Sequence, residues 1–228
     1  MKLFFNLLGI LLLTSTMCFG ATAPLFGSGN VLVGANFNDG PGSSDMTLIM
    51  RLSGDGQVYV DEGHDVKYVT DRDDIQDITG WTQPNFDDSD WEDGISGVGF
   101  ADGDDNTVTP TGLFTIWTRY YFDAPNAKSI SEMELLVDYD DQAIVWLNGV
   151  AIFHPANAPD EDPPAWDATE GGTKANNGAS ELAAGAPNPA RWSHSDITTV
   201  AVDFIYAGTT SVEPEGKLAV LWSGLKRD

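Results

Sequence analysis

Apolar and polar residues alternate with a period of two over much of the chain, and no helical periodicity competes with that pattern, which predicts an all-β domain. Val31, Val33, Ala35 and Phe37 share one face of a first predicted strand, and Met46, Leu48, Met50 and Leu52 one face of a second. Gly54-Asp55-Gly56 then turns the chain toward a strand over residues 57–60, which reads as a hairpin. Further on, Ile116, Thr118, Tyr120 and Phe122 alternate with Trp117, Arg119 and Tyr121, and Met133, Leu135, Val137 and Tyr139 alternate with Glu134 and Asp138. Both segments read as half-buried strands. Residues 143–147 are apolar on both faces, as an interior strand covered on two sides is, and Asn148-Gly149 tolerates the two positive φ angles of a tight turn before a returning strand over 150–153. Val200, Val202 and Phe204 form another apolar face, and Leu218, Val220 and Trp222 a last one.

The pattern fails between residues 154 and 195, which hold six of the twelve prolines among many Ala, Gly and Asn residues. An irregular excursion of this length is either functional or disordered, and the composition favours disorder. At the other end, Met1-Lys2 precedes an apolar run from Leu3 to Leu13, too short for a membrane span and of signal-peptide length. Residues 1–20 are therefore expected to be a signal peptide. Cleavage after Gly20 or after Ala23 fits the small residues there, and the single cysteine, Cys18, lies behind a poor lipidation box. Loss of Cys18 with the signal would leave a mature chain without thiols, and so without disulfides or thiolate metal sites. The expected location is secreted or extracytoplasmic, in the periplasm or at the cell surface.

Charge narrows the choice of partners. The chain of 228 residues carries 11 Lys plus Arg against 35 Asp plus Glu, a formal net charge of −24. Such a surface repels polyanions and argues against nucleic acid as a partner. Hydrophobic residues at 42% supply enough material for a real core.

Trp81 opens a segment that runs through Phe86-Asp87-Asp88-Ser89-Asp90-Trp91, then Gly94, Gly97, Val98, Gly99 and Phe100, then Asp102-Gly103-Asp104-Asp105-Asn106-Thr107. Together with Arg119-Tyr120-Tyr121-Phe122, Asp140-Asp141 and residues 143–149, it resembles the galactose-binding-domain-like jelly-roll module. That module occurs in many secreted bacterial proteins and as the sugar-binding domain of β-galactosidases and β-glucuronidases. The resemblance covers about residues 65 to 155, with weaker agreement over 196–206. It implies a jelly-roll β-sandwich over 65–228 with an irregular loop at 154–195; residues 21–64 precede the module's expected start without a counterpart in it and are expected to form an N-terminal extension of extra strands. It also implies a module without catalysis of its own. The residues themselves give the first part of the motif an architectural meaning, because Asp and Ser side chains close local turns while Phe86 and Trp91 serve as apolar pegs beneath them.

Two groups of residues are candidates for a cation. Asp102, Asp104, Asp105 and Asn106 offer oxygen donors at the short spacing that Ca²⁺ uses, without a complete EF-hand loop; the other reading is a solvated acidic turn. Asp138, Asp140 and Asp141 form a second group, whose plainer reading is a strand end with carboxylates bonded to backbone or to Arg119. A structural calcium is thus the one cofactor to be expected, and modules of the resembling kind often hold one.

For a sugar ring, which presents an apolar face to an aromatic side chain, the candidates are Trp166 and Trp192 in the excursion, and Trp117, Arg119 and Tyr121 on one strand face. The last three also read as a cation–aromatic ladder on an outer sheet. Trp81, Trp91, Trp146 and Trp222 read as core. Catalysis finds little support: His64, His154 and His194 lack metal-ligand spacing, and Ser193-His194-Ser195-Asp196 holds triad residue types that adjacent positions do not assemble. A glycosidase needs a placed pair of carboxylates, which 35 acids do not single out. The expectation is a non-catalytic module that binds carbohydrate or cell-surface glycan. A structural or adhesive protein-interaction module is the alternative, and a glycoside hydrolase comes third.

Overall fold

The computed structural model describes residues 21–40, 42, 44–75, 78–101, 103–161, 164–168 and 189–211. The expected signal peptide with Cys18, the candidate ligand Asp102 and the strand expected at Leu218, Val220 and Trp222 lie outside the described residues. Fourteen strands run in chain order among those residues: β1 Ala23–Phe26, β2 Asn30–Phe37, β3 Met46–Gly54, β4 Gln57–Val60, β5 Asp65–Thr70, β6 Glu92–Ile95, β7 Val98–Phe100, β8 Thr107–Val108, β9 Thr115–Phe122, β10 Met133–Asp140, β11 Gln142–Leu147, β12 Val150–Phe153, β13 Thr198–Ala201 and β14 Phe204–Gly208. Short 3₁₀ turns stand at Ala127–Ser129 and Arg191–Ser193. The fold is all-β.

Two six-stranded sheets carry the architecture. One has the order β13-β10-β3-β7-β8, with β4 also paired to β3; the other has the order β12-β11-β2-β9-β5-β6. Pairing is antiparallel except between β7 and β8, and β1 and β14 form a separate parallel pair. The period-two pattern explains how the sheets meet. Met46, Leu48, Met50 and Leu52 of β3 and Leu135, Val137 and Tyr139 of β10 face Leu32, Ile116, Tyr120, Val145 and Leu147 of the second sheet across one shared apolar core. Each large apolar side chain so buried contributes about 1.5–3 kcal/mol. Gly34 of β2 is needed here, because a Cβ on it would press to 2.7 Å from Leu48 Cδ2 and 2.8 Å from Met50 Cε.

The residues expected to form an extension supply central strands. β2 lies between β11 and β9, and β3 lies between β10 and β7, so residues 23–60 are interleaved with the rest of the sandwich. Strand patterning found these elements, but their order in the sheets depends on pairing between strands far apart in sequence.

The second sheet is covered on its outer face as well. Val31, Val33, Ala35 and Phe37 of β2, Trp117 of β9, and Ile144 and Trp146 of β11 form a second apolar layer with Ile75, Trp81, Trp91 and Ala158 from the connections outside the sheet. This is why β11 reads as apolar on both faces. It also corrects the half-buried reading of β9, in which residues 115–120 are all buried. Trp81 sits edge-on to both Trp117 and Trp146, with ring centroids 5.1 Å from each. Phe86 and Trp91 are pegs in this layer, 6.1 Å apart, and above them the Asp87 carboxylate accepts the Ser89 N–H at 3.1 Å.

The turns follow the sequence signals. Asn148 and Gly149 have φ of 49° and 84°, and Asp55 and Gly56 of 47° and 82°, as two-residue hairpins of primed type require. Asn148 does more than turn the chain: its side chain accepts from Val31 N and donates to the Pro24 carbonyl and to Asn30 Oδ1.

Candidate functional site

On β9, residues 117, 119 and 121 alternate onto the outer face of the second sheet, where the sequence places a candidate sugar platform. Burial decides their role. Trp117 and Arg119 have no exposed surface, and the Arg119 guanidinium is held by Asp88 at 2.8 Å, by the Trp81 carbonyl, by the Gln83 carbonyl at 3.2 Å and by Tyr121 Oη at 2.7 Å. Its charge also lies 5.0 Å from the Phe86 ring centroid and 5.3 Å from that of Tyr121. The ladder is present, but it fastens the covering connection to the sheet; Tyr121 is its exposed ring, at 39%, and Phe86 is half-buried. The Tyr121 hydroxyl is itself donated to Asp88 at 2.6 Å. Burial and the neighbouring Asp88 raise the Tyr121 pKa, and Arg119 opposes them.

Trp166 is half-buried. It packs against the second apolar layer and meets Phe114 edge-on at 5.4 Å.

Trp192 is placed differently. The first sheet directs Thr47, Ile49 and Arg51 of β3 away from the core, beside Leu136, Asp138 and Asp140 of β10 in register. Against this outer face lies the 3₁₀ turn Arg191–Ser193 at the end of the excursion. Trp192 is half-buried there; its indole Nε1 donates to Asp61 Oδ1 at 2.8 Å, and the Arg51 guanidinium lies 5.9 Å from its ring centroid. Arg51 and Asp61 approach to 3.6 Å with 29% and 21% of their side chains exposed. An aromatic ring is thus bordered by a donor and an acceptor, both reached by water.

Next to Trp192, the Arg191 side chain is fully buried. It reaches Asp138 at 2.6 Å, Asp104 at 3.1 Å and Glu62 at 3.4 Å, and none of these three carboxylates is exposed. The hydrogen bonds and charges of Asp138 and Glu62 raise the Arg191 pKa against its desolvation. The fold therefore joins Asp104 and Asp138, one from each candidate cation group, around an arginine that sequence reading had not selected. No local signal marks it, since Glu62, Asp104, Asp138 and Arg191 are far apart in the chain.

The remaining candidate ligands face other partners. Asp105 Oδ1 accepts from Thr47 Oγ1 at 3.0 Å, Asn106 Nδ2 donates to the Ser96 carbonyl at 2.7 Å, and Asp141 Oδ2 accepts the Asp39 N–H at 2.7 Å. Asp140 is buried at the end of β10. Among the described residues no three His, Cys, Asp or Glu side chains are arranged to hold a metal ion. Among the described residues, Asp104 and Asp138 converge with Glu62 on the Arg191 guanidinium.

A shallow groove of about 350 Å³ lies elsewhere, between the turn at Ala127–Ser129 and β14, with Lys128, Ser131, Asp203, Phe204 and Tyr206 in its lining. No helix of the described residues is long and apolar enough to cross a membrane. Neither a protein-family model, nor a curated protein, nor a solved structure matches the chain.

Proposed function

We propose that this chain is a carbohydrate-binding module of the galactose-binding-like jelly-roll type, working outside the cytoplasm, with Trp192 as the ring on which a sugar stacks. The observation that carries this reading is the setting of Trp192, a half-buried indole fixed by Asp61 and flanked by Arg51 at a partly open rim. Sugar recognition uses that combination, an apolar ring face with charged groups able to accept and donate hydrogen bonds to hydroxyls. The jelly-roll assignment draws support from the turn-and-peg segment at Phe86–Trp91 and the Asn148-Gly149 bend. Trp117, Arg119 and Trp166 are structural in this proposal. Tyr121 stays a secondary contact because part of its ring is open.

A glycan array and pull-down on insoluble polysaccharides test it. Binding by the wild type that Trp192→Ala weakens about tenfold or more is the expected result. Absence of wild-type binding across both formats would leave the adhesive, protein-binding reading in its place.

A further inference from the structure

We infer that Arg191 is the positioning residue of the Trp192 platform, a cation built into the chain on which Glu62, Asp104 and Asp138 converge. The inference rests on the proposed role of Trp192 for its function, but its structural half stands apart from any ligand. Arg191 and Trp192 are consecutive in one three-residue 3₁₀ turn, and neither end of that turn has a side-chain cap. Such a turn has little stability of its own. Its described contacts with the first sheet are of two kinds. Arg191 is buried and bonded to carboxylates from three separate parts of the chain: Glu62 after β4, Asp104 before β8 and Asp138 on β10. Trp192 is half-buried and touches Asp61 and Arg51 at the rim.

The planar fork of Arg191 fixes direction as well as distance, because an arginine bonds to several carboxylates only in the plane of its guanidinium. Holding residue 191 in that plane sets where the next side chain emerges. Asp61 and Glu62 are consecutive too, so one short segment after β4 supplies an acceptor to the indole and another to the guanidinium. The two contacts are thereby locked in register, with the anchor beneath and the ring at the surface.

The test compares Arg191→Lys and Arg191→Gln with the wild type, reading Trp192 alone as the difference in emission and acrylamide quenching against each protein's Trp192→Phe partner. Val33→Ala, in the apolar layer of the other sheet, serves as a control for general destabilisation. In folded Arg191→Lys, which keeps the charge and loses the fork, Trp192 emission is expected to shift to the red and become more quenchable. Affinity for a glycan bound by the wild type is expected to fall about tenfold. Val33→Ala should leave Trp192 unchanged. Should Arg191→Gln fail to fold, Arg191→Lys still decides the matter. A folded Arg191→Lys whose Trp192 signal and glycan affinity match the wild type overturns the inference and leaves the binding reading intact. If the wild type binds no glycan while Arg191→Lys still releases Trp192, the anchor is upheld and the binding reading alone falls.

Discussion

Arg119 and Arg191 are two arginines without exposed side-chain surface, and each fastens an irregular segment to the outer face of a sheet. Burying a guanidinium is costly unless carboxylates and carbonyls surround it, so both sites lose far more when the arginine is removed than a surface ion pair would. Arg119→Met is expected to lower unfolding free energy by about 3 kcal/mol, since Asp88 and the Trp81 and Gln83 carbonyls lose their donor. Urea denaturation checks this, and a loss below about 1 kcal/mol would show that the ladder is not a fastening. Tyr120 gives a second residue-scale prediction. Its phenol is fully buried, and desolvation raises its pKa to about 12, with Ser96 and Thr118 partly offsetting the shift. A group whose pKa is higher in the folded state contributes its stability in full below the unfolded value of about 10, and loses it as pH rises through the folded value. Stability should therefore fall between about pH 10 and 12, and Tyr120→Phe should flatten that fall in a series of melts. Tyr59, Tyr68 and Tyr139 shift in the same direction, so the flattening is partial. An unchanged alkaline profile in Tyr120→Phe would contradict it.

At the scale of elements, long alternating strands were legible, and short ones only where a tight turn joins them to a long neighbour, as for β4 and β12. β2, β3, β9 and β10 follow the alternation because an apolar layer lies on at least one face of each, and β11, covered on both faces, reads as a continuous apolar run. The face at Val200, Val202 and Phe204 divides instead into β13 and β14: Val202 N still donates to the Met133 carbonyl in the β10 register, and from Asp203, whose carbonyl accepts the Ala23 N–H, the chain pairs with β1. β5 to β8 escaped notice since three of the four have four residues or fewer, too few for periodicity to register. In β7, glycine does what pattern would otherwise do. A Cβ on Gly99 would collide with the Met46 carbonyl oxygen and the Asp105 carboxylate, which is how β7 closes onto β3. Gly99→Ala is expected to cost about 1–3 kcal/mol by forcing β7 from β3. A change within about 0.5 kcal/mol in equilibrium unfolding would mean that the strand yields freely.

For the whole molecule, the turn chemistry and the all-β class were readable from the chain, and the interleaving of residues 23–60 with the later strands was not. Residues 23–60 supply the middle of both sheets, a fact of long-range pairing that local pattern does not encode. The candidate site divides along the same line. Trp192 could be singled out by type and by its place in the excursion, whereas Arg191, Glu62 and Asp61 become a site only once the sandwich brings them together. The calcium expectation meets the same limit, since Asp104 and Asp138 turn to Arg191. A melting temperature shifted by less than about 1 °C by millimolar Ca²⁺ or by chelator is the expected outcome, and a chelator-reversible rise of several degrees would restore the metal.

The central claim is that, of the seven tryptophans, Trp192 meets the sugar. Indole ¹H–¹⁵N correlation spectra resolve each ring as its own signal, with Trp192→Phe assigning the one in question. On titration with a saccharide drawn from the array, the Trp192 indole signal should move and those of Trp81, Trp91, Trp117 and Trp146 should stay in place. Movement of a buried indole with Trp192 unchanged, or no movement at a saturating dose, would contradict the account.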